Sequence, residues 1–208
     1  MHRATGVYIM NLEAVKSLAE QLTYEELAAA LYVKGEIDGF HKVTDKTKWR
    51  EPVMAEKLGH KAHTKISAGA GSDEYGSDAW DEANGKFAEY KSKAIEDKQL
   101  NNLFQRVRYP KTGKLFSSLK VEGVYNGAYK QSALDAYAEV DHYYGVFYKE
   151  TCMMIIRPKT DEVIRQLTEN NAKRKPGQTT NLNTVKIDLA DKTMYTTVYK
   201  NPEYNEFD

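Results

Sequence analysis

The chain has 208 residues, 41% hydrophobic and 29% charged, enough for one ordinary core and too few for two large ones. Thirty Lys and Arg balance thirty Asp and Glu, which excludes a chain-wide field steering it to nucleic acid, acidic lipid or acidic substrate; such a partner must be met by a local patch. The single Cys152 excludes an internal disulfide framework and a cysteine-based zinc site, and no apolar run approaches the roughly 18 residues of a membrane span, so the expectation is a cytoplasmic protein with no membrane partner.

In chain order, Leu12, Val15, Leu18, Ala19 and Leu22 recur at helix spacing behind a possible cap at Asn11. Thr23-Tyr24-Glu25-Glu26 is a capping box, predicting a second helix that fails by Gly35. Residues 42–48 read as a polar loop. A short third helix is predicted over residues 51–59, with Pro52 near its start and Gly59 just past its end. Residues 67–77 are Gly-rich but lack the Gly-Lys-Ser/Thr ending of a phosphate loop, so no nucleotide cofactor is expected.

The strand signals come later. Ser132 opens a short helix, Tyr143 to Tyr148 is rich in β-formers, and Cys152 to Ile156 is a continuous apolar run suited to a strand covered on both faces. Lys149-Glu150-Thr151 turns the chain between those two strands. Pro158 introduces a helix with Asp161 and Glu162 in its first turn and Val163, Ile164 and Leu167 on its apolar face. After the basic break Lys173-Arg174-Lys175-Pro176-Gly177, Val185, Ile187 and Leu189 alternate, Asp191-Lys192 turns, and Met194 to Tyr199 completes an expected terminal hairpin. The whole reads as one α/β domain, residues 1–60 mainly helical and 61–208 the α/β core, with a partly antiparallel sheet.

The stretch that carries chemistry is Gly76-Ser77-Asp78-Ala79-Trp80-Asp81-Glu82-Ala83-Asn84-Gly85-Lys86-Phe87-Ala88-Glu89-Tyr90-Lys91. Asn84-Gly85 is a strong two-residue turn signal, because a type I′ turn needs positive φ at both central positions. Partners across that hairpin have numbers summing to 169, so Asp78 faces Lys91 and Trp80 faces Glu89. Side chains alternate between faces, so Asp78, Glu89 and Lys91 share one side while Asp81 points to the other. Two carboxylates are hard oxygen ligands suited to Mg²⁺, and an ammonium beside them can orient water or stabilise a crowded phosphate. That is an assembly for metal-assisted phosphodiester hydrolysis. The Glu-x-Lys triplet alone says little, since Glu96-Asp97-Lys98 is another; an exposed salt-bridged hairpin is the plainer alternative.

Asp78, the turn, and Glu89-Tyr90-Lys91 resemble the motif of the PD-(D/E)XK nucleases, and the surrounding segment is similar to that of type II restriction endonucleases, with Ser77 where the motif name has Pro. The close likeness covers roughly 17 residues; a looser likeness of element order continues to the end of the chain. It implies a restriction-endonuclease-like mixed β-sheet flanked by helices and a Mg²⁺-dependent endonuclease cutting double-stranded DNA to leave 5′-phosphates. Asp78 and Glu89 would hold the metal and Lys91 would assist the water. It also implies a homodimer, for which the acidic N-terminal helices, carrying Glu13, Glu20, Glu25, Glu26 and Glu36, suit a subunit contact better than a DNA groove.

Glu56, on the helix ahead of the motif, stands where many such nucleases supply a further acid to the metal; a solvated helix carboxylate is the other reading. His60 and His63, at i and i+3, lack a third ligand in sequence. For phosphate contacts the candidates are Arg106, Arg108, Lys111 and Lys114, interleaved with aromatics, and Lys173 and Arg174 in the basic break. Asn181 and Asn183 could each present an amide to adenine, or could simply cap their loop. Two rivals stand beside the restriction-enzyme reading: a nicking or structure-specific nuclease of the same motif, and a non-catalytic DNA-binding module.

Overall fold

A computed structural model describes residues 12–38, 47–62, 77–96, 99, 120–175 and 183–202. Helices α1 (Leu12–Gln21), α2 (Tyr24–Asp38) and α3 (Thr47–Leu58) come first. The capping box at the head of α2 forms as expected: the Thr23 backbone N–H donates to Glu26 Oε2 at 2.8 Å, and the Glu26 N–H to Thr23 Oγ1 at 3.2 Å. The helix runs through Gly35 to Asp38, because one interior glycine costs only about 1 kcal/mol. Helix α3 starts four residues ahead of the predicted Glu51 and ends in a Schellman motif. There Gly59 adopts φ 69°, its N–H reaches Glu56 O at 3.2 Å, and the His60 N–H reaches Ala55 O at 2.9 Å.

The main sheet has six strands among the described residues, in the order β1-β2-β3-β5-β6-β8. They are β1 (Lys61–Ala62), β2 (Ala79–Asp81), β3 (Lys86–Ile95), β5 (Asp141–Tyr148), β6 (Thr151–Pro158) and β8 (Tyr195–Lys200). Only β3 and β5 run parallel. A second, two-stranded antiparallel sheet pairs β4 (Lys120–Val124) with β7 (Thr184–Asp188). Helices α4 (Gln131–Ala138) and α5 (Thr160–Ala172) complete the α/β architecture.

Alternation along the strands sends side chains into two cores. On one face Ala79, Ala88, Tyr90, Tyr143, Phe147 and Ile155 meet Val53, Met54 and Ala55 of α3. The approach is close: a Cβ on Gly145 would lie 2.7 Å from Met54 Sδ. On the other face Tyr144, Val146, Met154 and Ile156 meet Val163 and Leu167 of α5 and Val121, Val185 and Ile187 of the small sheet. Each fully buried large apolar side chain contributes about 1.5–3 kcal/mol, so both layers hold the central strands in place.

Two sequence expectations are corrected here. The terminal hairpin does not form, since β7 pairs with β4 and β8 with β6. The alternating Val185 and Ile187 are drawn into the core beneath the small sheet, while β8 takes the edge of the main one. The Asn84-Gly85 turn is also longer than two residues: Asp81 pairs with Lys86, leaving four residues in the loop, and only Gly85 has positive φ. No helix among the described residues is long and apolar enough to cross a membrane.

Candidate active site

The four-residue loop exists because Asp81 caps it. Its Oδ1 accepts the N–H groups of Ala83 at 3.0 Å and Asn84 at 3.1 Å, and its Oδ2 accepts Asn84 Nδ2 at 2.6 Å. Burial opposes the Asp81 charge, yet the Asn84 donors outweigh it and hold the carboxyl below its ordinary range. Partner numbers therefore sum to 167, as in Trp80 opposite Phe87, a shift of two from the expected 169. Two residues is one full period of the strand, so no side chain changes face. Glu89 and Lys91 share a side, and Asp81 lies on the other; Asp78 stands one residue outside β2, where its charge acts on Lys91.

Asp78 is tied to β3 twice: its N–H donates to Ala88 O at 2.9 Å, and its Oδ2 accepts the Tyr90 N–H at 2.6 Å. The Lys91 ammonium donates to Glu89 Oε1, and Glu89 is buried. Burial opposes the lysine's charge, but the Glu89 and Asp78 carboxylates outweigh it and raise Lys91 above the ordinary lysine range, so it is an ammonium at neutral pH.

The small sheet closes over this lysine. Lys91 Nζ sits 5.0 Å from the ring centroid of Tyr125, a cation–π contact within reach of the ring's negative face. A Cβ on Gly123 would lie 2.6 Å from Lys91 Cγ and 2.9 Å from the Tyr144 hydroxyl, so β4 fits here only with glycine. Beneath, the Tyr125 hydroxyl bonds His142 Nδ1 at 3.1 Å and the Tyr144 hydroxyl at 3.0 Å, while His142 Nε2 meets Tyr137 O at 2.9 Å. Burial pushes His142 down to about 4, making it a neutral ring, and pushes the Tyr137 phenol up to about 12, helped by Glu89. Tyr125 is raised well above its ordinary value by complete burial.

Glu56 does not join this group. Helix α3 packs on the Ala88/Tyr90 face through Val53, Met54 and Ala55, opposite to the face bearing Glu89, and Glu56 points to solvent. Among the described residues no cluster of three His, Cys, Asp or Glu forms. His60 has a structural partner: its Nδ1 bonds the Tyr90 hydroxyl at 2.8 Å and its Nε2 lies 3.4 Å from Asp81 Oδ2.

Arg106, Arg108, Lys111, Lys114, Asn181 and His63 lie outside the described residues. Lys173 is exposed just past α5. Arg174 and Asn183 are brought together with each other: Nη2 donates to Asn183 Oδ1 at 2.7 Å, the guanidinium lies 5.1 Å from the Tyr129 ring centroid, and Asn183 O accepts the Tyr125 N–H at 2.8 Å. Their side chains brace the end of β4 against α5. No family model matches the chain, and no curated protein matches it significantly.

Sequence reasoning missed Gly123, Tyr125 and His142. Val121-x-Gly123-x-Tyr125 does alternate, a faint strand signal, but nothing local says that this strand lies over Lys91. The donor set fits a hard divalent cation: two carboxylates, both within the field of a single ammonium that offsets part of their mutual repulsion.

Proposed function

We propose that the chain is a Mg²⁺-dependent endonuclease of the PD-(D/E)XK type, acting on double-stranded DNA as a type II restriction enzyme and working as a homodimer. The observation that supports the reading is that two carboxylates act on the one buried ammonium of Lys91, Glu89 by accepting its hydrogen bond and Asp78 from its anchor on the Tyr90 N–H. Asp78 and Glu89 would hold the cation, which when bound lowers the pKa of water and neutralises charge on the phosphodiester. Asp78 is oriented for this by the Tyr90 N–H, and Glu89 by the Lys91 ammonium. Lys91, charged at neutral pH, donates hydrogen bonds to the phosphate oxygens as negative charge builds on them, and the Tyr125 ring keeps its far side dry. Pairing of two copies through α1 and α2 is supported by Leu18, Tyr24, Leu31 and Val33, which these helices leave exposed.

The test is digestion of unmodified plasmid DNA with and without Mg²⁺, followed by sequencing of the cut ends. Discrete fragments bearing 5′-phosphates are expected, and Asp78→Ala, Glu89→Ala and Lys91→Ala should each slow cutting about a thousandfold or more while leaving DNA binding measurable. Random nicking or preference for branched DNA would favour the structure-specific nuclease instead. Binding without cutting would favour the non-catalytic module. Wild-type cleavage by Asp78→Ala would remove Asp78 from the metal site.

A further inference from the structure

A groove of about 370 Å³ runs across the end of the main sheet, lined by Asn84 and Lys86 of the ribbon, Asp141 at the start of β5, Arg157 at the end of β6, and Lys159, Thr160 and Thr196. Three cations and one carboxylate give it a net charge of +2. Asp141 sits between two of the cations, 3.8 Å from Lys86 Nζ and 3.6 Å from Arg157 Nη1, and the side chains of Lys86 and Arg157 remain 54% and 42% exposed. The exposed Thr196 hydroxyl and the second N–H of the Asn84 amide, whose first is held by Asp81, can donate hydrogen bonds to an anion.

The arrangement of the cations says what kind of anion. Lys86 on β3 and Arg157 on β6 both lean on the one Asp141 carboxylate of the strand between them, which fills the gap and repels a single small phosphate from it. The outer sides of the two cations, with Lys159 beside them, suit successive charges along a polyanion. The groove also lies beside the candidate active site. Asp141 pairs with Ala88, and the next pair along the same two strands is Glu89 with His142. Lys86 and Asp141 project to the α3 side of that strand end, and Glu89 to the side of the small sheet, so a chain passing the groove skirts the edge on which the two carboxylates sit.

We propose that this groove is a phosphate track: Lys86, Arg157 and Lys159 hold the backbone of a DNA strand as it passes the end of the sheet beside Asp78 and Glu89. The inference rests on the nuclease reading for the position of the scissile bond, but binding in the groove needs no chemistry. It is a sequence-independent contact, fixing the duplex on the protein without reading bases.

The experiment measures binding of a short fluorescein-labelled DNA duplex by anisotropy in EDTA, where no cutting occurs, across a range of salt concentrations. Lys86→Ala/Lys159→Ala removes two exposed charges and leaves Arg157, which also bonds Tyr143, in place. Affinity should fall about tenfold or more at low salt, and the slope of log K against log salt should become shallower by up to about 2. Asp141→Asn should tighten binding several-fold. The comparison variant, Lys120→Ala/Lys186→Ala, takes the same charge from the small sheet and should change binding little. Equal losses in both double variants, or none in the first, overturn the track. If the track variants lose binding while the wild type fails to cut with Mg²⁺, the groove stands and the nuclease reading falls; if the wild type cuts and the track variants bind normally, the reverse holds.

Discussion

At Gly123 a single methyl group has nowhere to go. Gly123→Ala places a carbon 2.6 Å from Lys91 Cγ and 2.9 Å from Tyr144, so either β4 lifts or the lysine moves off Glu89. Overpacking of this kind costs about 1–3 kcal/mol. The urea midpoint should drop accordingly, and cleavage should fall by more than that loss of stability explains; an unchanged midpoint would mean that β4 does not press on Lys91. Tyr125 makes the complementary case. Tyr125→Phe keeps the ring under the ammonium but strips His142 and Tyr144 of a buried partner, at about 1–3 kcal/mol. Tyr125→Leu also removes the cation–π contact. Single-turnover rates should therefore separate the two variants, with Phe near wild type and Leu well below, whereas equal rates would show that the ring does nothing for the lysine.

Among the elements, the tight turn promised by Asn84-Gly85 is made instead by Lys149 and Glu150, with φ of 47° and 65°. Tyr148 pairs with Thr151, so these two residues alone connect β5 to β6. Left-handed backbone costs about 1–2 kcal/mol at each such residue. Glu150 has a reason to bear it: its carboxylate is buried and receives Arg50 Nε at 2.9 Å and Nη2 at 2.8 Å, while the guanidinium lies 5.5 Å from the Phe147 ring centroid. The exposed Lys149 sets its ammonium 5.3 Å from the Tyr148 ring centroid, a contact worth about 0.5–1 kcal/mol. Lys149→Gly should hold or slightly raise the melting temperature, whereas Glu150→Gly strands a buried Arg50 and should cost about 3–5 kcal/mol, despite relieving the same kind of strain. Matching shifts in calorimetry would disprove the clamp. Most helices and the central strands were readable, because apolar period and caps are local; β1 and β4 were not, nor was which strand pairs with which, as β7 and β8 illustrate. Their alternation is that of a hairpin, yet β7 joins β4 and β8 joins β6, although Tyr195 shares a core with Val185 and Ile187.

For the molecule as a whole, acid sensitivity follows from histidines buried as neutral rings. Burial depresses His142 to about 4 against an unfolded value near 6.5, so between those values the unfolded chain binds a proton that the folded one refuses. Stability is fully present above about pH 6.5 and is lost as pH falls toward 4, by about 3 kcal/mol from this group, and His60, also depressed by burial, adds in the same direction. Urea melts from pH 7 to pH 4 should show the decline, and His142→Phe should flatten it; an equally steep slope in that variant would exonerate His142. The same distinction between local and distant information governs the candidate site. The common side of Glu89 and Lys91, and Asp81's place on the other, were legible because strand parity survives a two-residue error in register. The wall of Gly123, Tyr125 and His142, and the position of Glu56 behind the sheet, depend on how layers stack, which no spacing encodes.

Tyr90 faces both ways. Its amide grips Asp78 on the front of the ribbon, and its phenol reaches His60 on the back, one residue past the glycine that ends α3. The rear helix therefore has a mechanical lever on a carboxylate it never touches. A lesion at Gly59 or His60, remote from any substrate, would surface as a misaimed Asp78.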